Sequence, residues 1–442
     1  MIGRFPWDPF PPGTPDPKGP DPLQALLYRS AVTGGDAFRA VRTALRREPG
    51  VLRVGNRFVP EGRYREVAFV AVGHAANSMA LAVLSALDER VTRGFVAAPD
   101  AVAAEIPFRG VELPPGWGGG EAAAAARGAI AEIALDLRES DLLLLLLSPG
   151  AIRGLGQPPP GMAPPEFGRF LEWAHERGAT GREVQLLART LGSGGPGDAV
   201  VPTECRADVE TLVVERGDGP TPLGGGPTIP VRPAERTEAR AVLDRLGLAG
   251  ELSAGARDRL VAGGALAASL PPTVHRPVVV AGPPDALRAA ADTSFEKGWT
   301  ARLASLELRD RPEAAADRFL ELVEGLARAE RLGTGSPTKG LTALAMLTLD
   351  LPEGVDEGPA LATFLRRARA GISRREMSVG LFRTSGAIAG ATGPPGAVVG
   401  APADPAGVLP GEYRAVPMRP GITDVGLVAA AVLPAPTGAP PR

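Results

Sequence analysis

The chain has 442 residues, more than one hydrophobic core usually serves, so two domains are expected, each able to bury its own interior. Lys+Arg 48 against Asp+Glu 50 leaves a formal net charge of -2, which excludes a global field that would draw the chain to nucleic acid or an anionic membrane. Gly 57 and Pro 47 approach a disordered composition, yet 44% hydrophobic residues with clear apolar periodicity argue for a packed fold rich in turns.

Residues 1–21 form a proline-rich arm in which Phe5, Trp7 and Phe10 are available to lie against another surface, of a partner subunit or of the arm's own domain. This arm lacks the basic start and apolar stretch of a signal peptide, so export is not expected. Leu23, Leu26, Leu27, Val41 and Leu45 then suggest helices broken near Thr33-Gly34-Gly35. The β-rich run 67–72 leads into Gly73 and an Ala/Leu-rich helix through Leu87, a strand-glycine-helix unit whose helix amides would face an anion placed above the strand end.

A short strand at 94–98, an Ala-rich amphipathic helix at 121–137 and an apolar strand at 141–147 continue the alternation. The Leu142 to Leu147 run is far shorter than the roughly 20 residues a membrane helix needs, so no membrane insertion is expected. Helices at 165–177 and 181–191, a strand at 210–214, a glycine-rich loop and a helix at 235–246 follow. A second domain opens with a strand at 278–281, helices at 284–297, 312–329 and 360–370, a buried segment at 341–349, and strands at 379–382 and 425–433.

The pattern predicts an α/β protein, a doubly wound Rossmann-like parallel sheet domain plus a smaller C-terminal α/β domain. Its expected boundaries are the arm at 1–21, the first domain at 22–270, the second at 271–434 and a tail at 435–442. A single cysteine, Cys205, excludes an intramolecular disulfide, reads as a small buried hydrophobe and fits a reducing, cytoplasmic setting.

Taken in order, AVGHAANSMA, DLLLLLLSPGAIRGLGQPPPGM, the helix at 179–191, GDGPTPLGGGPTIP, GTGSPTKGL and RTSGAIAGATGPPGAVVG resemble the glycerate 2-kinase family over roughly residues 22 to 430. That resemblance implies a Rossmann-like first domain, a smaller second domain and, in working members, ATP- and Mg²⁺-dependent phosphorylation of the 2-hydroxyl of D-glycerate. Carried onto this chain, the ligand-binding positions are Gly73, His74, Asn77, Ser148, Pro149, Gly150, Gly226, Thr228, Thr384 and Gly386.

Several of those positions depart from the family pattern. Its Gly-Lys-Ala-Ala turn is here Gly73-His74-Ala75-Ala76, an imidazole in place of a permanent ammonium. Its Ser-Gly-Gly-Gly-Ser loop is Ser148-Pro149-Gly150-Ala151-Ile152, with a proline where a backbone N–H should face phosphate. Its Asn-x-x-Arg-Lys-His stretch is 185–190, where Arg189 is the one cation left, and its acidic loop is shortened to Glu215-Arg216-Gly217-Asp218-Gly219, with one acid left of several. In the second domain, 335–340 and 384–389 lack the family's carboxylates.

Phosphoryl transfer rests on positioning and on cations that neutralise phosphoryl charge, and Mg²⁺ needs oxygen ligands, usually carboxylates. The expectation is therefore a catalytically degenerate relative, with His74, Arg189 and Asp218 as remnant catalytic positions, no metal ligands and no cofactor. Such a chain would serve as a binding or structural subunit, joined to other proteins through the arm or to copies of itself. The alternative is an active ATP-dependent kinase in which Arg53, Arg153, Arg189 and Arg383 restore the charge, since arginine grips phosphate bidentately. The bland reading of each is a solvated or structural ion pair.

Other constellations carry less. His74, His175 and His275 lack zinc spacing, Ser148 lacks a nucleophile-elbow frame, and GTGSPTKG lacks Walker spacing. The arginines of FLRRARAGISRRE read as a solvated helix face, not a nucleic-acid contact.

Overall fold

The computed structural model describes residues 22–113, 120–192, 200–215, 231–261, 273–332, 339–349, 357–371, 377–383, 397–401, 414–415 and 427–434. They fall into two compact units, one of 37–280 and one joining 22–36 to 281–434. The helix α1 (Pro22–Gly34) thus belongs with the second unit, whereas the sequence reading assigned it to the first.

Unit one opens with α2 (Ala37–Ala44) and a small antiparallel sheet of β1 (Arg47–Glu48), β2 (Val51–Val54) and β3 (Arg57–Pro60). Then come β4 (Val67–Val72), α3 (Ala76–Leu87), β5 (Val91–Ala98), β6 (Gly110–Glu112), α4 (Gly120–Asp136) and β7 (Leu142–Leu147). The helices α5 (Ala151–Leu155), α6 (Pro164–Glu176) and α7 (Gly181–Gly192) precede β8 (Asp208–Val214), α8 (Pro233–Leu246), α9 (Ala254–Val261) and β9 (Val278–Ala281).

The large sheet has the order β6-β5-β4-β7-β8-β9, and β4 pairs in parallel with both β5 and β7. The chain therefore winds outward from β4 in one direction and from β7 in the other, so the order reverses between these two strands. In such sheets ligands bind beyond the carboxyl ends of the strands at that reversal. Every residue of β4 and β7 is buried, as a central parallel sheet covered on both faces requires. Val70, Val72, Leu145 and Leu147 pack with Ala126, Ile130 and Ile133 of α4, each large side chain adding roughly 1.5–3 kcal/mol of burial.

Helices α6 to α9 form a second cluster around Phe170, Leu187, Leu243 and Leu260. Arginines close several helix ends here. Arg177 donates to Leu246 O and Gly247 O, Arg259 to Leu191 O, Arg240 to Leu260 O, and Arg127 to Leu155 O and Gly156 O. Each puts a permanent cation at the carbonyl-rich end of a helix, where the backbone dipoles favour positive charge.

Unit two contains α1, α10 (Pro283–Glu296), β10 (Thr300–Asp310), α11 (Pro312–Leu332), β11 (Gly340–Leu349) and α12 (Glu357–Gly371). Its remaining strands are β12 (Ser378–Arg383), β13 (Ala397–Ala401), β14 (Arg414–Ala415) and β15 (Leu427–Pro434). Its mixed sheet has the order β10-β11-β15-β12-β13-β14, with β10 and β11 parallel and β15 antiparallel to its neighbours β11 and β12. Phe319 and Phe364 meet in its core with ring centroids 6.3 Å apart. Helix α1 crosses α10 so closely that a Cβ on Gly34 would stand 2.5 Å from Ala289 Cβ, and the Ser30 and Thr293 hydroxyls lie 2.6 Å apart.

The doubly wound parallel domain and the second α/β unit expected from the sequence are both present. The sequence reading did not foresee β10. Its register shifts twice against β11, and its alternation changes phase between Ala301-Arg302-Leu303 and Leu306-Glu307-Leu308-Arg309, so no single period of two runs through its sequence. The short strands β1 to β3 and β6 were also unforeseen.

Candidate functional site

The order reversal between β4 and β7 brings together two turns that lie about 75 positions apart in the chain. After β4, Gly73 turns with φ +115°, its N–H donating to Ala97 O at 2.9 Å. After β7, Ser148 N donates to Val72 O at 3.0 Å and the chain passes through Pro149 to Gly150, at φ +92°. The turns touch without slack. A Cβ on Gly73 would stand 2.5 Å from Ser148 O and Oγ and 2.7 Å from Pro149 O, and one on Gly150 would stand 3.1 Å from His74 Cδ2. Glycine is required at both positions by conformation, and at Gly73 also by space.

The hydrogen bonds of the first turn decide what it offers. His74 N donates to Pro149 O at 2.9 Å, and Ala75 N donates to the fully buried Ser148 Oγ at 3.0 Å. Ser148 Oγ in turn donates to Val72 O at 3.3 Å. The two amides just before α3, those of His74 and Ala75, are thus engaged by the chain itself, and Ala76 N, the first amide of α3, donates to Gly73 O at 3.1 Å. Pro149, which replaces a donor with none, contributes a carbonyl that takes one of them.

Asn77, on the first turn of α3, holds a neighbouring loop. Its Nδ2 donates to Ala101 O at 3.0 Å and its Oδ1 accepts from Ala103 N at 3.1 Å, which anchors the segment after β5. Arg189 is fully buried on α7, with Nη1 3.1 Å from Glu235 Oε1 on α8. Burial holds its guanidinium below its ordinary value, opposed by the Glu235 charge. Glu235 also accepts Arg232 N at 2.8 Å, closing the first turn of α8. Of the other arginines weighed from the sequence, Arg53 donates to Gly55 O at 3.0 Å and lies 5.9 Å from the Phe58 ring.

The structure therefore brings Gly73, His74, Ser148, Pro149 and Gly150 into one apposed pair of turns, beside the helix that carries Asn77. Asp218, Gly226, Thr228, Thr384, Gly386, Phe5, Trp7 and Phe10 lie outside the described residues, as do the side chains of Arg153 and Arg383. Sequence reasoning missed Ala75, whose backbone amide matters and whose side chain gives no signal, and Glu235, whose partner lies on another helix. Among the described residues, no group of three or more His, Cys, Asp or Glu is arranged to hold a metal ion.

A family model described as a domain of unknown function, DUF4147, matches residues 24–261, more than half of the chain. The chain belongs to this family. Among solved structures, a protein of Pyrococcus horikoshii OT3 superposes with a TM-score of 0.69 at 18% identity, over 93% of this chain and 98% of that one. The glycerate kinase of Thermotoga maritima superposes with a TM-score of 0.66, also at 18% identity and with the same coverage of 93% and 98%. No curated protein sequence matches the chain. This DUF4147 member accordingly shares its fold with that glycerate kinase, and the likeness read from its motifs is borne out for the fold.

Proposed function

We propose that this DUF4147 protein keeps the glycerate-kinase fold as a binding or structural subunit and does not transfer phosphoryl groups. The observation that carries this reading is that the His74 and Ala75 amides are engaged by Pro149 O and Ser148 Oγ, at a turn with no fixed cation at position 74. A nucleotide phosphate at this turn would have to displace both contacts and would gain no lysine in return, so these residues do not fit the group. Losing one preorganised donor typically costs about 10²–10³ in rate, and here the amides, the ammonium and the glycine run are altered together. Arg189, ion-paired inside the helix cluster, supports the same reading.

The competing reading, an ATP- and Mg²⁺-dependent kinase acting on D-glycerate or a related hydroxy acid, draws on the fold shared with the Thermotoga maritima enzyme over nearly the whole chain. Of the arginines it needs, Arg53 and Arg189 are already committed to Gly55 O and Glu235. Purified protein with ATP, Mg²⁺ and D-glycerate separates the readings: turnover in the ordinary range of about 1–10³ s⁻¹ restores the kinase. Nucleotide at roughly 100 times its Kd would also add about 2.7 kcal/mol to stability, read as a thermal shift.

On the subunit reading the protein acts in the cytoplasm, and the arm at 1–21, with Phe5, Trp7 and Phe10, is its attachment segment. Deleting residues 1 to 20 then removes co-purifying proteins. An unchanged set of partners would rule the arm out.

A further inference from the structure

The strands of the large sheet begin at the edge opposite the glycine turns, and β8 starts there with Asp208 and, two residues on and on the same face, Glu210. Asp208 collects most of the donors. It accepts from Tyr64 Oη at 2.8 Å and Arg57 Nη2 at 3.4 Å, with Arg63 Nη2 and His275 Nε2 each at 3.5 Å. Glu210, whose side chain is 1% exposed, faces Arg57 Nη1 at 3.6 Å, an ion pair just beyond hydrogen-bond reach. The turn of the β2–β3 hairpin closes over this carboxyl, since a Cβ on Gly55 would stand 2.6 Å from Glu210 Oε1.

One guanidinium is therefore shared between two carboxyls beneath a hairpin turn. We propose that this cluster is a proton-operated latch, which holds the β2–β3 hairpin against the start of β8 while Glu210 carries a proton and loosens when Glu210 ionises. The groups facing Glu210 are Arg57 from β3 and Asp208 from β8, with Arg63, Tyr64 and His275 held on Asp208 around them. Ionised Glu210 is buried and competes for Arg57 with an Asp208 that is better served.

The electrostatics agree with the geometry. Burial pushes the Glu210 carboxyl from its ordinary 4.5 up to about 7, with Asp208 adding to the rise and Arg57 opposing it. Although burial works against it, Asp208 is held below the usual range by the Tyr64 hydroxyl, Arg57, His275 and Arg63. The Glu210 contribution is complete below the ordinary carboxyl value and is lost as pH rises through about 7. His275, lowered by burial and by Arg57, acts with the opposite sign: its contribution is complete above its ordinary value and is lost as pH falls.

Hydrogen exchange of the hairpin amides Arg53 N and Gly55 N, which bond to Arg46 O and Ala44 O, tests the latch. After correction for intrinsic exchange, the Glu210 titration should raise their opening by up to about 30-fold between about pH 5.5 and about pH 8.5, less the opposing contribution of His275. Glu210→Gln should abolish that rise, and His275→Asn, which removes the opposing titration, should keep or enlarge it. A flat wild-type profile, a rise that persists in Glu210→Gln, or a rise that vanishes in His275→Asn overturns the proposal. If Glu210→Gln does not fold, the ¹³C titration of the Glu210 carboxyl in the wild type replaces it: its midpoint must coincide with that of hairpin opening, and a separate midpoint refutes the latch.

Discussion

Replacing Gly73 with alanine would drive a methyl group into backbone that has little room to yield. The new Cβ would stand 2.5 Å from Ser148 O and Oγ and 2.7 Å from Pro149 O, and two of these three atoms are main-chain oxygens anchored by the end of β7. The residue would also hold φ +115°, which side-chain-bearing residues adopt at a cost of about 1–3 kcal/mol. Overpacking adds roughly another 1–3 kcal/mol, so a loss of about 2–6 kcal/mol is expected. For a unit of this size that lowers Tm by roughly 10 °C, measurable by calorimetry at fixed protein concentration. Gly128→Ala is the control: it sits in α4 with nothing within 4 Å of an added Cβ, and should gain about 0.5–1 kcal/mol. If the two variants melt within a degree of each other, the close apposition of the two turns, and the argument that the His74 and Ala75 amides are engaged, both fail.

Ser148→Ala leaves the Ala75 N–H without its buried acceptor and should cost about 1–3 kcal/mol in denaturant titrations, whereas a loss under about 0.3 kcal/mol would mean that the hydroxyl does not hold that amide. Arg189→Met should cost about 3–5 kcal/mol because Glu235 is left charged and buried, and adding Glu235→Leu should recover much of it. Additive losses in that cycle would deny the pairing. Cys205 is buried and its thiol is pushed up by that burial, against an opposing backbone hydrogen bond at Ala207, so a disulfide reagent should label it only after denaturation. Rapid labelling of the native protein at neutral pH would contradict its placement.

Much of the frame was legible because its signals are local. The run of leucines at 142–147 and the β-rich 67–72 both read as strands, and they are the two central strands. Helices such as 181–191 and 235–246 announced themselves by apolar spacing and are found within one or two residues of those bounds. The substitutions at His74 and Pro149 were likewise visible as changes in charge and donor capacity. By contrast, β10 was hidden by its bulges and charges, and Glu210 looked like an ordinary strand residue until Arg57 and the Gly55 turn were placed over it.

Periodicity, turn chemistry and the order of the motifs, all properties of neighbouring residues, determined the fold class and the family likeness without coordinates. Only the tertiary structure decided that the turn after β4 meets the turn after β7, that Ser148 Oγ and Pro149 O take up the Ala75 and His74 amides just before α3, and that Arg189 answers Glu235. It also placed α1 against α10 and set two carboxyls beneath one hairpin arginine. Those outcomes depend on which distant donor reaches which acceptor, and strand order, which no local pattern encodes, makes that choice.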